Sequence, residues 1–196
     1  MTVAHEQRVG MTMDEFLEES NRQPFEIING ERKPKLPNAS LHSFIIRLLY
    51  RLLDGFVLKN NLGEAFIETT FVLPDAYGPN WVTGARIPDL MFYAGSRVAD
   101  YQAAHPEWQL YPFALVPDFV IEVVSPTDRF SDVDEKVDAY LADGVRLIWV
   151  IDPQRKKAIA HAPDFEQPIH YTGSATLSAD DVLPGFQLAL DELFKG

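Results

Sequence analysis

One stretch of the sequence, residues 117–153, limits the possible folds more than any other. It begins with a run of β-branched and aromatic residues at 119–124, which is typical of a strand in the core of an α/β sheet. A helix is predicted over 132–143, and a second apolar strand is predicted over 145–151. This order of elements favours a single α/β or α+β domain.

The first predicted strand contains a carboxylate, Glu122, among apolar neighbours. Burying a charge is costly unless the charge is paired or binds a metal, so Glu122 needs a partner. A second predicted strand, residues 86–93, also contains a carboxylate among apolar residues, Asp89. Two alternatives to a metal site stay open: Glu122 pairs with an arginine such as Arg86, and Asp89 serves a turn after Pro88.

The predicted helix over 132–143 places Lys136 at the margin of its buried face, beside Tyr140. From this margin a long amine can reach back over the edge of the sheet. Two strand carboxylates and a nearby amine suit hydrolysis of a phosphodiester assisted by Mg²⁺ or Mn²⁺. The alternative is a surface lysine paired with Asp132 along the helix.

Local signals predict the remaining elements. Thr12 is a plausible N-cap with Glu15 three residues later, and Asn29-Gly30 is the preferred dipeptide of a two-residue hairpin turn. The predicted elements are a helix over 12–20, a hairpin of 25–28 and 31–34, a helix from Ser40 to about Asp54, two short strands at 64–69 and 70–73 that pair or form one bent strand, a loop over 74–84, an insertion over 96–112 anchored by Trp108 and Tyr111, and outer strands at 158–161 and 169–172.

The composition indicates a globular protein that binds no membrane. The 196 residues fit one domain, 1–196, in which residues 1–11 are expected to be flexible. No run of about 18 apolar residues is present, and the N-terminus lacks the pattern of a secretory signal, so we expect a soluble cytoplasmic protein. The absence of cysteine excludes disulfides, thiolate metal sites and cysteine nucleophiles.

The net charge of -12 argues against broad non-specific binding of nucleic acid, whose affinity comes mainly from neutralised phosphates. A locally basic groove would offset this charge. Divalent ions that cancel carboxylate charge at the site would offset it too.

Several segments of the sequence resemble the Uma2 family of endonucleases, which is common in bacteria and lies within the PD-(D/E)XK nuclease superfamily. The segments that carry the resemblance span most of the chain and are FEIINGE, IPDLMFY, PDFVIEVVSPTD, DEK with the following YLADGV, IWVIDP, and LPGFQL. The resemblance implies a restriction-endonuclease-like fold, a central mixed β-sheet flanked by helices. It also implies Mg²⁺-dependent cleavage of DNA, usually by a homodimer when both strands are cut.

On this resemblance, Asp89 matches the metal-binding aspartate of the superfamily and Glu122 its second acidic ligand, with the Val123 carbonyl as a third metal ligand. The sequence departs from the superfamily pattern at Val124, where a lysine would stand. The resemblance implies that Lys136 has taken over this role from the helix.

Two further residues, Glu26 and His42, lie in segments similar to the family and are weaker candidates for an added acidic ligand and a polar helper. Two alternatives to a DNA endonuclease stay open. One is a catalytically inactive binding or scaffold domain, which the acidic charge favours. The other is a nuclease that acts on RNA or on structured or single-stranded DNA.

Overall fold

The computed structural model describes residues 9–75 and 78–195, and these residues form helices and strands in three β-sheets. The helices are α1 (Met13–Arg22), α2 (Ser40–Asn60), α3 (Arg97–Ala104) and α4 (Phe130–Asp143), with short 3-10 turns at Trp108–Leu110 and Leu190–Phe194. The strands are β1 (Met11–Thr12), β2 (Phe25–Ile28), β3 (Glu31–Pro34), β4 (Gly63–Ile67), β5 (Phe71–Asp75), β6 (Gly78–Arg86), β7 (Leu90–Ala94), β8 (Phe119–Val123), β9 (Leu147–Asp152), β10 (Lys157–His161), β11 (Ile169–Thr172), β12 (Thr176–Ser178) and β13 (Gln187–Ala189).

The main sheet has the strand order β11-β10-β9-β8-β7-β4. It is mixed, because β8 and β9 pair in parallel while their other neighbours pair antiparallel. Parallel neighbours need a crossover connection, and α4 lies in that connection between β8 and β9. The predicted strand, helix and strand of residues 117–153 are therefore confirmed.

Helices cover both faces of the main sheet. On one face Ile45 and Leu49 of α2 pack in a core cluster with Ile121 of β8. On the other face Val137 of α4 packs in a second cluster with Val120 of β8. The central mixed sheet flanked by helices, as predicted, is confirmed. Because side chains alternate along a strand, Glu122 lies on the same face as Val120, towards α4.

A second sheet has the order β1-β6-β2-β3, with β5 also paired to β6. Its β2-β3 hairpin turns at Asn29 and Gly30, both with positive φ (51° and 79°), as a two-residue turn of this kind requires. Helix α1 begins with the predicted capping box of Thr12 and Glu15. The hairpin and the cap are both confirmed.

The prediction of a loop over 74–84 is wrong where the structure describes it, because β6 begins at Gly78. Residues 76–77 lie outside the described parts of the chain. The register between β5 and β6 is irregular around Pro74, which fits the disruption that proline causes in a sheet. The predicted pairing of the strands before this segment is also wrong, since β4 belongs to the main sheet and β5 to the second.

Two predicted boundaries differ from the structure by several residues. Helix α2 continues through Gly55 to Asn60, because Val57 is fully buried in the core and this burial outweighs the cost of a glycine inside a helix. The strand predicted from residue 86 begins only at Leu90. The segment 87–89 instead links the second sheet to the main sheet.

At the start of the chain, Met11 lies in β1 and is buried, so the flexible segment predicted for 1–11 does not reach it. Residues 1–8 lie outside the described parts.

In the predicted insertion, α3 and a 3-10 turn form, and Tyr111 is 42% exposed, so it does not act as an anchor. Among the helices of residues 9–75 and 78–195, none has the length and apolarity needed to cross a membrane.

Candidate active site

A cavity of about 290 Å³ opens beside the end of β8. Its walls come from the β2-β3 hairpin, from the segment that leads into α2, from α2 itself, and from α4. The charged and titratable residues that line it include Glu26, Lys33, Lys35, His42, Asp89, Glu122, Asp128, Asp132, Glu135 and Lys136.

Glu122 is the fourth residue of β8 and is 8% exposed. The Tyr140 hydroxyl of α4 donates a hydrogen bond to Glu122 Oε1 (2.5 Å), and Lys136 Nζ lies 3.6 Å from Glu122 Oε2. Burial raises the pKa of Glu122 to about 7, although the charge of Lys136 opposes the rise. The nearby carboxylates of Asp89 and Glu26 raise this pKa further.

Asp89 directly precedes β7 and is 2% exposed. Leu90 pairs with Ile121 in antiparallel register, and extending this register by one residue brings Asp89 next to Glu122. The Val123 amide donates a hydrogen bond to Asp89 Oδ2 over 2.8 Å. The two carboxylates therefore lie at the same end of the adjacent strands β7 and β8.

Two cationic or titratable groups also contact Asp89. His42 Nε2 lies 3.2 Å from Oδ2, and Lys35 Nζ lies 3.2 Å from Oδ1. Burial acts to raise the pKa of Asp89, but its hydrogen bond with His42 and the charge of Lys35 outweigh burial and lower this pKa. Asp89 is therefore held as a carboxylate.

Lys136 projects from α4 into the cavity. Its Nζ lies 2.8 Å from Glu26 Oε2 as well as 3.6 Å from Glu122. Burial acts to lower the pKa of Lys136, but the charges of Glu122 and Glu26 outweigh it and hold the pKa above its ordinary value, so the side chain is an ammonium. Among the residues that the structure describes, the ion pairs of Lys136 are with Glu26 and Glu122, so the alternative pair with Asp132 is wrong.

Both of the weaker candidates lie in the same cavity. Glu26 is buried on β2, and its Oε1 accepts a hydrogen bond from the Ile87 amide over 2.9 Å. His42 is buried on α2. Burial acts to lower the pKa of His42, but its hydrogen bond with Asp89 and the Asp89 charge raise it above its ordinary value. Glu26 thus contacts Lys136, and His42 contacts Asp89.

The structure separates two other groups from the cavity. Arg86 pairs with Asp143 of α4, with Nε 3.0 Å from Oδ2, so it is not the partner of Glu122. Asp118 lies at the other end of β8, where it accepts a hydrogen bond from the Ala94 amide (2.9 Å) and pairs with Arg97. Asp118 is therefore a structural carboxylate at the start of the strand.

The sequence does not mark two residues that contact the carboxylates of the site, Tyr140 and Lys35. Tyr140 lies one helical turn after Lys136, and this spacing of four residues was the signal that could have linked it to the site. Lys35 lies in the irregular segment between β3 and α2, where its Nζ donates a hydrogen bond to the Ile87 carbonyl over 3.0 Å. No periodic pattern in the sequence marks Lys35.

The donor chemistry of the cavity fits a hard divalent cation. In the parts of the chain with described coordinates, no cluster of three or more Asp, Glu or His side chains is arranged as a ready ligand set. Mg²⁺, however, is commonly bound by one or two carboxylates, and water and substrate phosphates complete its coordination. Asp89 and Glu122 supply two carboxylates at one end of the adjacent strands β7 and β8, and burial together with the charges of Asp89 and Glu26 raises the pKa of Glu122.

A crystal structure of a protein from Anabaena variabilis, described as a "putative nuclease", has a similar fold. The TM-score is 0.75 at 22% sequence identity, and the alignment covers 94% of this chain and 97% of that chain. At this identity the likeness establishes the fold alone. A comparison with proteins of curated function finds no match.

The sequence itself matches one protein family over residues 13–191, which is most of the chain. The protein belongs to the Uma2 family, which is described as "putative restriction endonuclease".

Proposed function

We propose that the protein is an endonuclease that hydrolyses phosphodiester bonds of DNA with the help of Mg²⁺ or Mn²⁺. One observation carries the proposal: two buried carboxylates at one end of adjacent strands, Asp89 and Glu122, and the ammonium of Lys136 line the same cavity. Membership of a family described as restriction endonucleases supports a nucleic acid as the substrate.

The metal ligands in this proposal are the carboxylates of Asp89 and Glu122 and the Val123 carbonyl. When bound, a divalent ion supplies Lewis acidity towards water and towards a phosphate oxygen. His42 and the Val123 amide hold Asp89 Oδ2, so the orientation of this carboxylate does not depend on the ion. Tyr140 does the same for Glu122 by donating to Oε1.

Lys136 supplies a fixed positive charge. Its ammonium orients the attacking water or offsets the negative charge that develops on the pentavalent phosphorus. Glu26 holds this ammonium at 2.8 Å, and Glu26 is itself held by the Ile87 amide. The lysine is thus positioned before substrate binds, which reduces the reorganisation needed in the transition state.

Cleavage of supercoiled plasmid DNA in Mg²⁺ or Mn²⁺ tests this function. The variants Asp89→Asn, Glu122→Gln and Lys136→Met each remove one proposed role. Asp138→Asn is the matched control, because Asp138 lies on the exposed side of α4, outside the cavity. We expect the three variants to lose at least about 100-fold in nicking rate, comparable to the loss of one preorganised group, and the control to retain it.

Equal nicking by the wild type and the three variants would show a contaminating nuclease and would overturn the proposal. Calorimetric titration with Mn²⁺ separates an inactive scaffold domain from an enzyme with another substrate. A scaffold is expected to bind no Mn²⁺, whereas a nuclease specific for RNA or single-stranded DNA is expected to bind Mn²⁺ and cut those substrates instead. The ratio of linear to nicked plasmid reports whether two copies act together, as a homodimer would.

A further inference from the structure

We propose that Lys35 is an exchangeable counterion of Asp89, whose ammonium a divalent metal ion must displace from Asp89 Oδ1. This inference rests on the proposed function, because it assumes that Asp89 is a metal ligand. On this inference, Lys35 sets the affinity of the site for the metal ion.

The two oxygens of Asp89 have different surroundings. Oδ2 contacts the Val123 amide (2.8 Å) and His42 Nε2 (3.2 Å). Oδ1 contacts Lys35 Nζ at 3.2 Å. A carboxylate held through one oxygen keeps its orientation when the contact of the other oxygen changes, so Lys35 can leave without loss of the Asp89 position.

In the described part of the chain, Lys35 is held by fewer carboxylates than Lys136, another lysine of the cavity. It lies in the irregular segment between β3 and α2, outside any helix or strand. Among the residues with described positions, its ammonium contacts the carboxylate of Asp89 and the carbonyl of Ile87. Lys136, in contrast, projects from a helix and lies between two carboxylates, those of Glu26 and Glu122.

Repulsion between the two cations favours departure of the Lys35 ammonium when the metal ion binds. An ammonium and a divalent cation at the same carboxylate repel each other strongly at a separation of a few ångströms. A lysine side chain has a long flexible stem, so the ammonium can move towards the mouth of the cavity while its backbone stays in place. The ammonium keeps its proton in this step, and the only change at Asp89 Oδ1 is the replacement of one cation by another.

Calorimetric titration of the full chain with Mn²⁺ tests the proposal through the variant Lys35→Met. We expect Lys35→Met to bind Mn²⁺ at least about 10-fold more tightly than the wild type, because the competing cation is gone. Lys33→Met is the matched control: Lys33 lines the same cavity but pairs with Glu31 and Glu135, at 3.1 Å and 3.2 Å. We expect its Mn²⁺ affinity to change less than threefold.

A second variant, Lys35→Gln, keeps a donor for the Ile87 carbonyl and serves if the methionine variant does not fold. Unchanged or weaker Mn²⁺ binding by the folded Lys35 variant would overturn the proposal, as would an equal gain in Lys33→Met, which would show only a general charge effect. No Mn²⁺ binding by the wild type or the variant would overturn both this inference and the proposed metal site. Tighter binding by the variant without DNA cleavage by either protein would support the exchange and remove only the nuclease function.

Discussion

The ammonium of Lys136 lies 2.8 Å from Glu26 Oε2, nearer than its 3.6 Å distance to Glu122. Lys136 belongs to α4 and Glu26 to β2. This contact therefore connects the crossover helix between β8 and β9 to the hairpin of the second sheet. The position of the proposed catalytic lysine therefore depends on an acidic residue that need not bind the metal.

We expect Glu26→Gln to slow DNA nicking by about 10- to 100-fold, because Lys136 loses its nearest carboxylate and shifts from its position. The Mn²⁺ affinity should change little, since the variant retains Asp89 and Glu122. Nicking assays and calorimetry measure the two effects separately. Glu31→Gln is the control, because it makes the same change at an exposed site on the same hairpin. Nicking by Glu26→Gln at the wild-type rate would contradict this role.

Lys136→Met is expected to lower the free energy of unfolding by about 3–5 kcal/mol, because it leaves two buried carboxylates without their shared cation. A double-mutant cycle with Glu26→Gln checks the cause. In the double variant the unpaired Glu26 charge is absent. The double variant should therefore lose less stability than the sum of the two single losses, by at least about 0.5 kcal/mol. Additive losses, measured by chemical denaturation, would show that the two side chains are not coupled.

Local signals in the sequence predicted several parts of the fold well. Asn29-Gly30 specifies its own turn, and Gly144 ends α4 in the left-handed conformation (φ 101°), because these effects need only neighbouring residues. Strand β6 (Gly78–Arg86) was not predicted. It is stabilised by pairing with its sequence neighbour β5 and with β2 and β1, which are distant in the sequence, and these pairings outweigh the turn-forming tendency of its proline and glycines.

In the candidate site, too, some features are predictable from the sequence and others are not. The buried charges of Asp89 and Glu122 are visible in the sequence because they interrupt runs of apolar residues. Their approach to each other depends on the antiparallel register of β7 and β8, which the sequence does not reveal. Lys35 gave no signal at all, since its position follows from how the β2-β3 hairpin packs beside Asp89.

The pKa of Glu122 predicts that stability depends on pH. Its pKa is raised from 4.5 in the unfolded chain to about 7 in the folded protein. Folding therefore favours the protonated form, and this contribution is fully present below pH 4.5 and is lost as the pH rises through about 7. The slope approaches about 1.4 kcal/mol per pH unit for one proton.

Chemical denaturation of the wild type and of Glu122→Gln, without metal, isolates this effect. We expect the free energy of unfolding of the wild type to fall relative to the variant between pH 4.5 and 7. Mn²⁺ affinity of the wild type should rise over the same range, because the ion binds the carboxylate and competes with the proton. A difference between the two proteins that stays constant with pH would contradict the raised pKa.

Asp118→Asn is expected to destabilise the fold without affecting metal binding. Asp118 accepts a hydrogen bond from the Ala94 amide over 2.9 Å, and it pairs with Arg97 and, at 3.5 Å, with Arg146. Loss of its charge should lower the free energy of unfolding by about 1–3 kcal/mol, a range set by the exposure of both arginines. Because Asp118 and Glu122 lie at opposite ends of β8, the Mn²⁺ affinity of the folded variant should equal that of the wild type. Calorimetry on the folded variant checks this. A loss of Mn²⁺ binding comparable to that of Glu122→Gln would show that our proposal places the metal at the wrong end of β8.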